Sequence, residues 1–266
     1  MTPLPIAPAS PQPLLTTEHR TQLTRDGWCV VPSVLGGEQV EALTEALRDF
    51  MAGGNGMGES GAASSARRRA GETFALRGAL QVPYARDLCR SAVLHDLVRP
   101  ILGENAHAVR GIVFDKTPAA NWKVPWHQDL TIAVSARHET PGFGPWSEKA
   151  GVTHVQPPTS VLANMLTTRL HLDDCDARNG PLRVLSGSHL GAEHRANKWS
   201  ATEISAWRER QPEIEVHVPR GGALLMRPLL LHASSPSLEP QLPRRVLHIE
   251  WANEELPDRL EWFERV

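Results

Sequence analysis

MLTTRLHLDDCDARNGPLRVL (residues 165–185) holds two short apolar runs, MLTTRLHLD and PLRVL, on either side of a stretch rich in Asp, Asn and Gly. Each run has the length of a strand, and Asn179–Gly180 supplies the residue types that tight turns use. The same design recurs around it. GIVFDKT (111–117), LTIAVS (130–135), EIEVHVP (213–219), GALLMRPLLLHA (222–233) and RRVLHIEWA (244–252) are short apolar or alternating runs separated by Gly, Pro and Asp/Asn. Short strands spaced in this way predict a sandwich, barrel or jelly roll over about residues 106–255.

Upstream the period changes. Val40, Leu43, Leu47 and Phe50 recur at spacings of three and four within 37–51, one face of a helix. Residues 16–27 and 84–102 also read as helical, with a short buried strand at Trp28–Pro32. The expected fold is mainly β (α+β): one domain over 16–266, with a helical layer over about 16–105 ahead of the β core. The Pro-rich start, MTPLPIAPASPQPLL (1–15), reads as a disordered tail and lacks the basic n-region of a signal peptide. GGNGMGESGAASS (53–65) reads as a mobile loop, and Arg67–Arg69 after it as a solvated charge run.

Composition narrows the partner. The 266 residues are 41% hydrophobic and 22% charged, ordinary globular values, and the formal net charge of −2 gives no footprint for a nucleic acid or an anionic membrane. No apolar run approaches the roughly 20 residues of a membrane span. Cys29, Cys89 and Cys175 form no CxxC pair, which argues against a disulfide framework or a cysteine zinc site and for a reducing cytoplasm. The expected partner is a small molecule; oligomeric state leaves no signal.

Twelve histidines stand against a single tyrosine, so ligand spacing becomes the question. His127 and Asp129, one residue apart in an extended segment, project to the same side and can reach one ion. His232, at the end of an apolar run about a hundred residues on, completes two imidazoles and one carboxylate. That facial set leaves coordination positions open and suits non-haem Fe(II) oxygenases, although zinc accepts the same ligand types. His171 and Asp173 form a rival HxD pair, but a jelly roll needs several strands between its two ligand-bearing ones, which favours the first pair. Beyond His232 come Ser234 and the pair Arg244–Arg245. A guanidinium and a hydroxyl are what a carboxylate needs for charge-assisted bonds, and adjacent strand residues face opposite ways, so one arginine at most turns inward.

These stretches resemble the phytanoyl-CoA dioxygenase family of Fe(II)/2-oxoglutarate oxygenases. FDKT (114–117), WHQDL (126–130), NGPLRVLSGSH (179–189), His232-Ala-Ser234 and PRRVLHIEW (243–251) occur in the family's order and cover about 108–252. The resemblance implies a double-stranded β-helix (jelly-roll, cupin-like) core. It implies iron on His127, Asp129 and His232, and 2-oxoglutarate held at its far carboxylate by Ser234 and Arg244. The gap from His232 to the arginines is about one residue longer than usual, which keeps Arg245 as a competitor. It also implies the reaction, in which O2 and 2-oxoglutarate are consumed, succinate and CO2 are released, and a small organic substrate is hydroxylated. Asp129 is retained, so the halogenating variant that lacks this carboxylate is not expected.

Candidate substrate contacts are Trp122 and Trp126 beside the HxD motif, Lys116 just before it, and Trp146 and His154 in 137–160, which reads as a lid or binding loop. The competing function from another class is a non-catalytic jelly-roll binding protein with a vestigial metal site. A zinc hydrolase would need a general base beside the metal, and none is evident.

Overall fold

The computed structural model describes residues 13–52, 65–69, 72–190 and 199–266. The expectations for most of the Pro-rich tail and for the Gly/Ser-rich stretch lie outside the described residues, as do the side chains of Arg67–Arg69.

In chain order, α1 (Thr17–Asp26) leads to β1 (Trp28–Val31) and α2 (Gly37–Ala52). β2 (Ser65–Arg69), β3 (Glu72–Arg77), α3 (Pro83–Cys89), α4 (Ala92–Leu102) and β4 (His107–Asp115) follow. Next come β5 (Val124–His127), β6 (Ile132–Val134), β7 (Trp146–Lys149), β8 (Val152–Val155), α5 (Thr159–Ala163) and β9 (Leu166–His171). The last part holds β10 (Leu182–Val184), α6 (Ala201–Arg210), β11 (Ile214–Val216), β12 (Ala223–Met226), β13 (His232–Ser234) and β14 (Arg245–Ala252). Local signals set several of the ends. Thr16 and His19 make a capping box on α1, Gly27 closes it in the left-handed region, and the Ser91 side chain caps α4.

The strands build a seven-stranded sheet in the order β1-β12-β9-β14-β4-β3-β2 and a four-stranded sheet β11-β10-β13-β5, antiparallel throughout. Helices on the outer face of the large sheet and the small sheet against its inner face give the expected jelly roll. Alternation along each strand divides the work of the large sheet. Leu166 and Leu170 of β9, with Leu247, Ile249 and Trp251 of β14, pack with Leu43, Leu47, Leu88 and Leu97 of the helices. Thr167, Arg169 and His171 of β9, and His248 and Glu250 of β14, stand on the other face and are buried as well.

Two expectations need correction. The first hundred residues hold more than helices and the strand expected at Trp28–Pro32, because the β2–β3 hairpin also extends the large sheet, at the edge opposite β1. Residues 137–160 are not simply a loop, since β7 pairs with β8 and β8 with β6 in a third sheet. The β7–β8 turn is Ala150–Gly151 with φ of 57° and 77°, both in the left-handed region, which suits a tight two-residue hairpin. Ala-Gly lacks the usual Asn-Gly or Asp-Gly signature, so the hairpin leaves little trace in the sequence. The three cysteines are buried and unpaired. Among the described residues no helix is long and apolar enough to cross a membrane.

Trp251 is fully buried between β14 and the helices, and its indole N–H donates to Thr168 Oγ1 at 2.9 Å. Trp251→Ala is expected to cost about 3–5 kcal/mol of stability in denaturant titration. A loss below about 1 kcal/mol would show that the helical layer is not anchored there.

Candidate metal centre and cavity

The two sheets meet over a cavity of about 250 Å³. The small sheet contributes Val124, His127, Leu182, His232 and Ser234; the large one contributes Phe114, Arg169, Arg244 and His248, with Lys116, Trp122 and Asp129 at the margins. His232 sits opposite His127 and Ser234 opposite Val124, so β5 carries one residue more than β13 between the two pairs. That bulge matters. His232 and Ser234 share a face as ordinary i, i+2 neighbours, whereas Val124 and His127 share one only because the extra residue restores the alternation. Asp129 lies just beyond the end of β5, where its backbone N–H donates to Pro228 O at 3.0 Å. The HxD pair is therefore a strand end plus a turn, not two positions on a continuous strand.

The three side chains converge. One ligand atom from each of His127, Asp129 and His232 lies within 4.8 Å of the others. His127 Nε2 is 3.9 Å from Asp129 Oδ1, and His232 Nε2 is 3.7 Å from Oδ2. Each histidine uses Nδ1–H to donate to the carbonyl two residues back, Pro125 O at 2.8 Å and Leu230 O at 2.9 Å. Those bonds fix the tautomer and leave the Nε2 lone pairs aimed at the common point. Asp129 Oδ2 is buried with no hydrogen-bond partner. Burial opposes its charge, but His232, His248, His127 and Arg110 outweigh burial and hold the carboxyl below the usual range. Burial, reinforced by His127, brings His232 down to about 3, so its Nε2 is free of a proton at neutral pH. A poised carboxylate and two oriented imidazoles fit a divalent metal ion of the Fe(II) type.

At the other end of the cavity, Lys116 Nζ donates to Ser234 Oγ at 3.3 Å and to Ser235 O. With its oxygen accepting from Lys116, the Ser234 hydroxyl keeps its own proton to donate. The Arg244 side chain is buried, lines the cavity and has no partner at Nε. Arg245 does something different: its Nε donates to Asp173 Oδ2 at 2.8 Å, and its Nη2 pairs with Oδ1 at 2.5 Å. The rival HxD pair is thereby explained by structure, with Asp173 holding Arg245 and His171 buried on β9 away from the metal cluster. Gly180 closes this end at φ 72°, and a Cβ there would stand 2.7 Å from Ser235 O and 3.1 Å from Lys116 Nζ.

Of the aromatic candidates, Trp122 lines the cavity, with the Lys116 ammonium 5.9 Å from its ring centre. Trp126 is off the cavity lining and stacks with Arg183 at 5.5 Å. Trp146 stacks with Arg137 at 5.4 Å, and His154 is buried on β8 with Nδ1 bound to Val152 O, so neither lines the cavity. The cavity includes residues that sequence reasoning missed: Arg169, His248 and Phe114. Arg169 donates to His248 Nδ1 at 3.0 Å, lies 5.7 Å over Phe114, and has an unpartnered buried Nε. An arginine in a strand that is buried along its whole length was the available signal.

A jelly roll carrying two imidazoles and one carboxylate beside a cationic cavity defines a class, the non-haem metal oxygenase type. The family model for phytanoyl-CoA dioxygenase matches residues 23–246, and the chain belongs to that family. It is a dioxygenase that uses iron and 2-oxoglutarate, as the motif resemblance implied. The chain is 24% identical over 249 residues to a "Probable alpha-ketoglutarate-dependent hypophosphite dioxygenase" of Stutzerimonas stutzeri, covering 88% of this chain and 78% of the relative. Iron-bound EctD from S. alaskensis superposes with a TM-score of 0.68 at 16% identity, over 93% of this chain and 80% of that one. SnoK, an alpha-ketoglutarate-dependent carbocyclase from nogalamycin biosynthesis, gives 0.66 at 17% identity, over 93% and 88%.

Replacing His127, Asp129 or His232 by Ala is expected to weaken Co(II) or Fe(II) binding, measured by titration, by more than the roughly 10–100-fold typical of outer-shell changes. His171→Ala should leave it within about threefold; equal losses at His171 would reassign the site.

Proposed function

We propose that the chain hydroxylates a small organic substrate, with iron on His127, Asp129 and His232 and the far carboxylate of 2-oxoglutarate on Arg244 and Ser234. The supporting observation is the arginine pair: Arg244 is buried in the cavity with a free Nε, while Arg245 is spent on Asp173. Lys116 adds a further donor beside Ser234. When bound, iron and 2-oxoglutarate supply the oxidation, in which one oxygen atom of O2 leaves with succinate, CO2 is released, and the other oxygen enters the substrate.

The residues do the rest. His127 and His232, pinned through Nδ1, present their lone pairs without reorganisation. Arg244, with the Ser234 hydroxyl, orients the co-substrate by a charge-assisted clamp, and Phe114, Val124 and Leu182 keep that end dry. The non-catalytic alternative gives no reason for a built clamp beside an intact metal triad. A cytoplasmic setting accords with the three unpaired buried cysteines.

Anaerobic protein with Fe(II) and 2-oxoglutarate is expected to develop a weak visible charge-transfer band, and in air to release succinate. The absence of both defeats this reading. Arg244→Met should raise the 2-oxoglutarate Kd roughly 30- to 150-fold, corresponding to about 2–3 kcal/mol for a lost charged contact, while Arg245→Met should change it far less.

Burial, with Arg244 and Arg169 alongside, lowers the Lys116 ammonium to about 7. A bound carboxylate needs the protonated form, so 2-oxoglutarate affinity should fall by up to about tenfold per pH unit above pH 7. Lys116→Met should flatten that profile, and a wild-type profile flat from pH 7 to 9 would remove Lys116 from the co-substrate site.

A further inference from the structure

The inner face of the large sheet is cationic at two places. Lys116 and Arg110 lie on the same side of the β4 segment, six residues apart and thus roughly 20 Å. Lys116, Arg169 and Arg244 surround the end assigned above to 2-oxoglutarate. At the other end Arg110 pairs with Glu250 at 3.0 Å, Glu250 also meets His248 Nε2 at 3.4 Å, and β3 brings Arg77 beside Ile112. The β7–β8 hairpin lowers Lys149 onto this end, where its ammonium donates to Thr131 Oγ1 at 2.6 Å, two residues beyond Asp129.

Among the described residues no carboxylate pairs with Lys149, and its charge is felt by Arg110, Arg77, Glu250 and Asp129. Glu250 is committed to Arg110 and His248. Glu264 receives the Gly111 N–H at 3.1 Å, and burial pushes its carboxyl up to about 7, so it supplies only part of a negative charge. His154 is kept neutral by burial and by Arg110, with Nδ1–H on Val152 O and Nε2 left as an unpartnered acceptor. A half-buried ammonium bonded only to a hydroxyl among the described residues is costly unless an anion neutralises it.

We propose that this end, Lys149 with Arg110 beside Thr131, receives the negative group of the substrate, so that the enzyme acts on a small anion such as a carboxylate or a phosphorus oxyanion. The inference rests on the oxygenase reading, because it is the co-substrate that fills the Arg244 end and leaves the Lys149 end to the substrate. Asp129 stands between the two, and an anion on Lys149 would hold the rest of its molecule against the metal ligands. The charge selects the class, and a neutral isostere would leave the ammonium unsatisfied.

Calorimetric titration of butyrate, methylphosphonate and neutral butyramide into anaerobic protein loaded with Fe(II) and 2-oxoglutarate tests this. One equivalent of at least one anion is expected to bind, with a shift of the visible band, and butyramide is not. Lys149→Gln should weaken the anion at least tenfold without moving the 2-oxoglutarate Kd, and Lys149→Arg should restore it to within about threefold. Lys149→Met, which keeps the apolar stem, replaces the Gln variant if that fails to fold. Arg244→Met should show the converse, with 2-oxoglutarate lost and the anion retained. No anion bound by the loaded wild type, equal binding of butyramide, or unchanged affinity on loss of the Lys149 charge each overturns the proposal. Failure of wild type to bind 2-oxoglutarate strikes the oxygenase reading instead, and Lys149-dependent anion binding is then read on the Fe(II) protein alone.

Discussion

One partly buried carboxylate constrains the rest of the molecule. Asp129 places an oxygen out of reach of solvent and of any hydrogen-bond donor among the described residues, a costly position for an anion. Arg110 from the large sheet offsets that cost, while the rings of His232 and His127 stand within 4 Å of the carboxylate and His248 lies close by on β14. Those groups come from β5, β13, β4 and β14, so both sheets must close for the charge to be tolerated. A divalent ion bound at the same point would settle the balance more completely, which makes metal binding and folding of the site mutually supportive.

The sheets can meet this demand because alternation gives each central strand two unlike faces. In β9 the sequence Leu-Thr-Thr-Arg-Leu-His sends Leu166 and Leu170 to the helices and Arg169 to the cavity. In β14 Leu247, Ile249 and Trp251 hold the helical layer while His248 and Glu250 face inward. The helices are thus more than a covering. They bury the apolar half of the strands whose polar half builds the site, and the bulge in β5 brings His127 back into step with Val124.

Much of this was legible beforehand, for identifiable reasons. Short apolar runs between turn residues announced a sandwich, barrel or jelly roll, which the family resemblance narrowed to the jelly roll, and the spacing of Val40, Leu43 and Leu47 announced α2, because the runs and the spacing are local periodicities. The candidate metal ligands stand out because two belong to one short motif and the third closes an apolar run. The setting of Trp146 and His154 was less legible, for the opposite reason. They sit in a hairpin whose Ala150–Gly151 turn carries a weak signature, so the segment read as a loop. Arg169 was overlooked because a single charge inside an apolar run is easily taken for an outward-facing residue, and only the layering shows that both faces of β9 are covered.

By itself, then, the sequence determined the elements, the family's motifs and the chemical types of the ligands, since those depend on residues close together in the chain. Tertiary structure alone set Arg244 and Arg245 apart, because Asp173, some seventy residues earlier, captures Arg245 and leaves Arg244 on the cavity. It also decided that the inner face is cationic at two ends, Lys116–Arg169–Arg244 and Lys149–Arg110, which lie in separate strands and meet only when the sheets pack. Local periodicity specifies which side of a strand a residue takes. Which charges face one another across that side is set by register and closure between strands distant in sequence.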